Sequence, residues 1–331
     1  MQRTFQSAAR VPTWSHSRDQ LLRSCERKYF FQYASNASLN SPDPWLRGVA
    51  LLKKLKNIPM WQGDCVHEAI AEYLARLQQG NELQFEQIAR SLKQRMLRDW
   101  QFSESRRFRE EPTAVGRFGS ALFEHEYDEV PPETQVKELV GEACGLLSSF
   151  LKWSREHAEF LTDFKNAKRR WIEPPPWGAG APGYMVDDVQ VITKVDLALQ
   201  LQDGRFKIYD WKTGAPPKDE KGGISHATQV SVYMLWPHLT LNFPLEMVSS
   251  ALVYLGGEEP REIKFHLDEE IAVETKQVIA DSVEQAQRWE NYVKDGRLGL
   301  GQLDFAGSVN ECKKCNYKRI CRATLTRQAI P

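Results

Sequence analysis

Three cysteines lie close together in Cys312-Lys-Lys-Cys315-Asn-Tyr-Lys-Arg-Ile-Cys321, and a fourth stands alone far upstream at Cys25. Any group that takes all four thiols requires a fold that returns its C-terminal segment to an N-terminal helix. Such a tie closes a loop of nearly the whole chain and removes unfolded-state entropy, so its first role is structural. The segment Met1-Gln-Arg-Thr-Phe-Gln-Ser has no apolar core of a leader, and no apolar run reaches the roughly 20 residues of a membrane span. A cytoplasmic protein with no membrane partner is therefore expected. In a reduced compartment clustered thiols serve as ligands more often than as disulfides. Cys65 and Cys144 fall in helical segments away from the cluster and read as small buried apolar residues.

Lys+Arg and Asp+Glu are equal at 44 each, so bulk charge announces no nucleic-acid partner. A local basic surface would have to supply one, and Lys313, Lys314, Lys318, Arg319 and Arg322 beside the cysteines form a candidate. No GxxxxGK[ST] loop is present, so no ATP-driven motor is encoded.

The periodicity predicts a helix over 13–34, capped by Ser17 with Gln20 as its capping-box partner. A second helix is expected from near Gly63, carrying His67, Ile70, Ala71 and Leu74 on one face. Residues 82–165 read as a helical insertion with breaks at Pro112 and Pro131-Pro132, and 174–183 as a loop. From Asp188 the pattern turns to strands, Val189–Leu201 and then Phe206–Trp211. A helix near 225–239 follows, then strands at 249–255 and 262–266, and a helix over about 268–295.

The hairpin carries the chemistry. A two-residue Asp203-Gly204 turn would place Asp196 opposite Trp211 and send Asp210 to the other face. A three-residue Gln202-Asp203-Gly204 loop, with Gly204 left-handed in a bulge, places Asp196 opposite Asp210. The second register gathers Val195, Leu197, Leu199, Tyr209 and Trp211 on one face and Asp196, Asp210 and Lys212 on the other, so it is the one expected. Two carboxylates at cross-strand distance repel and call for a cation between them. Mg²⁺ suits one or two carboxylates plus a phosphate. Lys212 shares that face and can orient or deprotonate an attacking water and offset phosphoryl charge. Gln229 and Tyr233, four apart on the next helix, share a face and can bond a phosphate or a water. His67 and Glu173 are further candidate ligands.

Taken in order, these residues resemble the PD-(D/E)xK nuclease superfamily in its RecB-like branch. The resemblance runs through Ser15 to Tyr33, Gly63-Asp-Cys-Val-His67-Glu, Val195-Asp196, Asp210-Trp-Lys212-Thr-Gly214 and Gln229-Val-Ser-Val-Tyr233. It implies an α/β fold with a restriction-endonuclease-like core, a central mixed β-sheet flanked by helices. The helical insertion and a C-terminal cysteine tail would be appended to that core. The whole of 1–331 would form one nuclease domain, with its core sheet in 168–266 and its cysteine tail in 300–325. Mg²⁺ or Mn²⁺ would sit at His67, Asp196 and Asp210. Lys212 would be catalytic, and Gln229 and Tyr233 would contact DNA or orient the centre. Iron–sulfur members of this branch, including CRISPR-associated exonucleases and helicase-linked nucleases, use one cysteine before the core and three after it. Cys25, Cys312, Cys315 and Cys321 match that layout. They are expected to hold a 4Fe–4S cluster, with Zn²⁺ second because its usual pattern is two close pairs. The expected activity is a metal-dependent DNA nuclease, an exonuclease on single strands or ends. The alternatives are a nuclease-fold module that binds DNA or a protein without cutting, and a subunit that works with a separate helicase or a CRISPR-type partner.

Overall fold

The hairpin adopts the three-residue loop. Gly204 has φ +88°, the Leu201 N–H bonds to the Arg205 carbonyl at 2.9 Å, and Leu197 pairs with Tyr209. Continued one residue, this register sets Asp196 opposite Asp210. The computed structural model describes residues 11–321 except 82, 175–182, 219, 295–299 and 305. Most of the expected 174–183 loop, Arg322 and the last residues of the 300–325 tail lie outside the described residues.

Five strands form the central sheet: β1 (Arg169–Ile172), β2 (Leu197–Gln200), β3 (Phe206–Lys212), β4 (Val248–Tyr254) and β5 (Arg261–His266). Their order is β5-β4-β3-β2-β1. Only β3 and β4 run parallel, so the sheet is mixed. The crossover between them is the long helix Glu220–Leu241, as a parallel pair requires.

Both faces are covered. Leu197, Leu199, Tyr209 and Trp211 pack into one core with the helices α1 (Ile58–Gln78), α2 (Phe85–Glu104) and α3 (Val136–Glu156). Ala198, Phe206 and Ile208 pack into the other, with α4 (Glu220–Leu241) and α5 (Glu269–Lys294). Asp210 and Lys212 alternate onto this second face, so they stand at the end of a packed layer and not on a solvated hairpin. Val195 is a correction: it joins the second core, because the chain leaves the ladder before Leu197.

Other boundaries shift for local reasons. Ser15, not Ser17, caps the first helix, His16–Ser24, by accepting from the Arg18 N–H at 3.2 Å. That helix stops at Cys25, which is extended and caps the next turn, so 13–34 is not one helix. Residues Thr13–Trp14 instead pair with Val189–Val191 in a small separate sheet. Val189–Leu201 is thus two strands in two sheets and not one. The helix expected near Gly63 starts at Ile58, with Asn57 as cap and Pro59 in its first turn, where a missing N–H costs nothing. Within 82–165 the described residues are mostly helical, including Ala158–Asn166 beyond α3, but Ala121–Leu122 forms a short strand with Leu55–Lys56. Cys65 is buried and Cys144 half-buried against the first core. Among the described residues no helix is long and apolar enough to cross a membrane.

Candidate active site

Four elements converge on the ends of β2 and β3. Helix α1 crosses close to β3 at Gly63, where an added Cβ would lie 3.3 Å from Thr213 Oγ1. One turn later on α1, His67 Nδ1 meets Asp196 Oδ1 at 2.9 Å. The other oxygen of Asp196 accepts the Trp211 N–H at 2.7 Å, which fixes the carboxylate against β3. Lys212 Nζ stands 2.7 Å from Asp210 Oδ2 and donates to Gln229 Oε1 at 2.9 Å. Gln229 Nε2 in turn donates to Tyr233 Oη at 2.7 Å. His67, Asp196, Asp210, Lys212, Gln229 and Tyr233, all singled out in the sequence, are thus brought together from α1, β2, β3 and α4.

Asp196 and Asp210 are 8% and 4% exposed, so their charges interact through little water. Burial, and then the Asp196 charge, push the Asp210 carboxyl up to about 6, against the pull of Lys212 and His67. Burial pulls His67 down, but the neighbouring Asp196 carboxylate outweighs it and raises the imidazole to about 9. Burial and the charge of Asp210 raise the Tyr233 phenol far above its ordinary value, so it stays a neutral hydrogen-bonding group. Glu173 lies at the end of β1, and its N–H bonds to the Asp196 carbonyl at 2.9 Å. Burial first, with Asp196 adding and Lys194 opposing, raises its carboxyl.

Asp210 Oδ2 is buried and faces the Lys212 ammonium at 2.7 Å. Two buried carboxylates side by side still repel, and a divalent cation between them would relieve both. Among the described residues no three His, Cys, Asp or Glu side chains converge as a ready metal cage. Mg²⁺ does not need one, since it keeps waters and substrate oxygens beside one or two carboxylates. The residues therefore fit a hydrated divalent ion at Asp196 and Asp210, with His67 holding Asp196.

Some neighbours carried no isolated signal. His16, inside the Ser15–Tyr33 run, reaches Ser225 Oγ at 3.2 Å, and burial, with Lys212 and His226 adding and Asp19 opposing, lowers it to about 4. His226, three residues before Gln229, bonds Tyr254 Oη at 2.7 Å. Tyr254 pairs across the ladder with Lys212, so the place of His226 beside the site rests on the β3–β4 register. Gly256 was also missed. An added Cβ there would lie 2.6 Å from the Thr213 carbonyl oxygen, so the strand end carrying Lys212 depends on its absence.

The four cysteines line one cavity of about 650 Å³. The Cys25 Sγ accepts the Lys28 N–H, and the Cys315 Sγ the Tyr317 N–H, each at 3.4 Å. Burial pushes the Cys315 and Cys321 thiols up, while the Tyr317 N–H and the Arg27 guanidinium respectively pull them down. Tyr317 stacks on Phe31 with centroids 5.0 Å apart, and Asn316 donates to the Leu52 and Leu55 carbonyls. Of the basic residues nearby, Lys318 bonds Glu129 and Arg319 lies 3.6 Å from Glu126, so these two are tied to the protein. Lys313 and Lys314 are exposed.

The PD-(D/E)XK nuclease superfamily matches residues 13–322, and the chain belongs to it. The superfamily is one of metal-dependent nucleases that generally use Mg²⁺ or Mn²⁺ and act on DNA. A solved structure, that of SSO0001, aligns at 16% identity with a TM-score of 0.28, covering 61% of this chain and 79% of that one. A search of curated proteins gives no match.

Proposed function

We propose that the chain is an exonuclease of the RecB-like branch, acting on single-stranded DNA or DNA ends, and that Cys25, Cys312, Cys315 and Cys321 hold a structural 4Fe–4S cluster. The observation that carries the catalytic half is the pairing of His67 with Asp196 beside the chain of contacts from Asp210 through Lys212 and Gln229 to Tyr233. A divalent ion at Asp196 and Asp210 would supply Lewis-acid polarisation of the phosphate and acidify a water. The remaining steps belong to the protein. Lys212, held between Asp210 and Gln229, orients the attacking water and offsets charge on the phosphoryl oxygens. Gln229 fixes the ammonium group, and Tyr233 fixes Gln229. His67 keeps Asp196 oriented and is a candidate further ligand, as is Glu173.

The cluster half is supported by the common cavity and by N–H donors on the sulfurs of Cys25 and Cys315. The sequence carries no motor loop, so unwound ends would come from a separate helicase or a CRISPR-type partner. The test is cleavage of end-labelled single-stranded and duplex DNA by anaerobically purified protein with Mn²⁺ or Mg²⁺. Mononucleotides or short products released stepwise from an end support an exonuclease. Internal cuts refute that mode, and no cleavage on any substrate moves the reading to a DNA-binding or protein-binding module.

A further inference from the structure

We infer that Arg27 is the counter-charge of the cysteine site and sets the electron affinity of the centre bound there, an inference that rests on the cluster reading. Arg27 comes two residues after Cys25 and is only 1% exposed. Its Nε donates to the Leu303 carbonyl and its Nη2 to the Gly301 carbonyl, each at 3.0 Å. Its Nη1 points at Cys321 Sγ, 4.0 Å away. The backbone closes the same junction: the Arg27 N–H bonds to the Asp304 carbonyl, and the Asp304 N–H bonds to Glu26 Oε2. The guanidinium thus reaches from the turn of the first cysteine to the last.

A guanidinium is charged at every working pH and presents its donors in a rigid fork. Taking it out of water is costly unless negative charge faces it. Two carbonyls give it dipoles, and a Cys321 thiolate in the bound centre would give it charge. Four thiolates bring four negative charges into one cavity, so a fixed cation at the sulfur has a large lever there. Cluster potentials follow net charge, hydrogen bonds to sulfur and exposure. A cation beside the sulfur favours the reduced, more negative state. Removing it should therefore lower the potential. A residue that served only to clamp Gly301 and Leu303 would alter stability and leave the potential in place.

The test uses the full chain, purified anaerobically, as wild type, Arg27→Lys, Arg27→Gln and Lys28→Met. Iron and sulfide content, an optical and electron-paramagnetic redox titration, and a thermal melt are read on each. Arg27→Gln should move the oxidised-to-reduced equilibrium about tenfold toward the oxidised form, ~59 mV for one electron. Arg27→Lys should keep most of the potential and melt lower, since it retains the charge and loses the fork. Lys28→Met, half-exposed on the same turn, should shift the potential less. If Arg27→Gln does not fold, Arg27→Lys against Lys28→Met carries the test: a larger shift in Lys28→Met overturns the inference. Equal potentials in wild type and an iron-loaded Arg27→Gln overturn it and leave the cluster reading standing. Wild type that binds only zinc, or no metal, ends both.

Discussion

Asp210 and Lys212 stand on a strand with hydrogen-bonded neighbours on both sides, whereas Cys312 lies in the short helix Val309–Lys313, Cys315 in the link after it and Cys321 at the end of a short helical run over 318–321. The carboxylate centre is placed by two cores that would form without any ligand. The cysteine cavity is placed by a smaller core, in which Tyr317 packs with Phe31, Leu52 and Leu55, and by polar ties from Asn316 and Arg27 to backbone carbonyls. The first kind of site is preorganised by burial, and its loss should be chemical. The second depends on what the thiols hold, and its loss should be structural. Substitutions that strike one region alone are the way to break this contrast.

The largest effect is expected from Lys212→Ala. It removes the group that joins Asp210 to Gln229, and the single-turnover cleavage rate should fall by about 10³-fold, as for loss of a preorganised charge stabiliser. The thermal melt should hardly move, because the two cores remain. A variant that keeps more than a tenth of the wild-type rate would remove Lys212 from the chemistry.

Cys315→Ser should show the reverse. The proposed tie between the chain ends is lost, and stability should drop by on the order of 5 kcal/mol, the size associated with closing a loop of more than about 100 residues. Chemical denaturation followed by circular dichroism reads this directly. Equal stability in the two proteins would show that side-chain contacts alone hold the C-terminal segment.

Much of the carboxylate centre was legible because its signals are local and periodic. Alternation in Phe206–Lys212 and the single left-handed Gly204 together select one register, and that register places Asp196 opposite Asp210. The spacing of Gln229 and Tyr233 on one helix did the rest. Val195 was misplaced because alternation presumes a continuous ladder, and the strand begins only at Leu197. The strand at Thr13–Trp14 is two residues long and takes its partner from 189–191, a pairing no local pattern announces. Ser17 looked as able to cap as Ser15, since both precede the same helical run, and only backbone direction decides between them. Gly256 and Arg27 act on residues distant in sequence, so neither spacing nor composition marks them.

Gly256→Ala sharpens the contrast from inside the first region. The new Cβ would meet the Thr213 carbonyl oxygen at 2.6 Å and the Gly214 carbonyl carbon at 2.8 Å, both backbone atoms. The end of β3 must yield, and Lys212 moves with it. A displacement near 1 Å can cost about 10²-fold in rate, so a fall of about 10-fold to 10²-fold in kcat is expected. Iron content and redox potential at the cysteines should stay as in the wild type. A coupled change at both sites would mean that the two regions are one mechanical unit.

The smallest effect is a pH dependence confined to the carboxylate centre of metal-free protein. His67 is raised from its ordinary 6.5 to about 9, so its contribution to stability is whole below pH 6.5 and is lost as pH rises through 9. Asp210 is raised from 3.8 to about 6, so its protonated form favours the folded state below pH 3.8 and that advantage is lost as pH rises through 6. Both shifts have the same sign. Melts in EDTA should therefore fall steadily from about pH 4 to pH 9. Asp210→Asn should flatten the acid half of the curve and His67→Gln the alkaline half. A divalent ion competes for the same lone pairs, so added Mg²⁺ should raise the melting temperature more at pH 9 than at pH 6. A metal-free curve that is flat, or that rises with pH, would mean that the buried charges at Asp196 and Asp210 are relieved by water and not by His67 and protonation of Asp210.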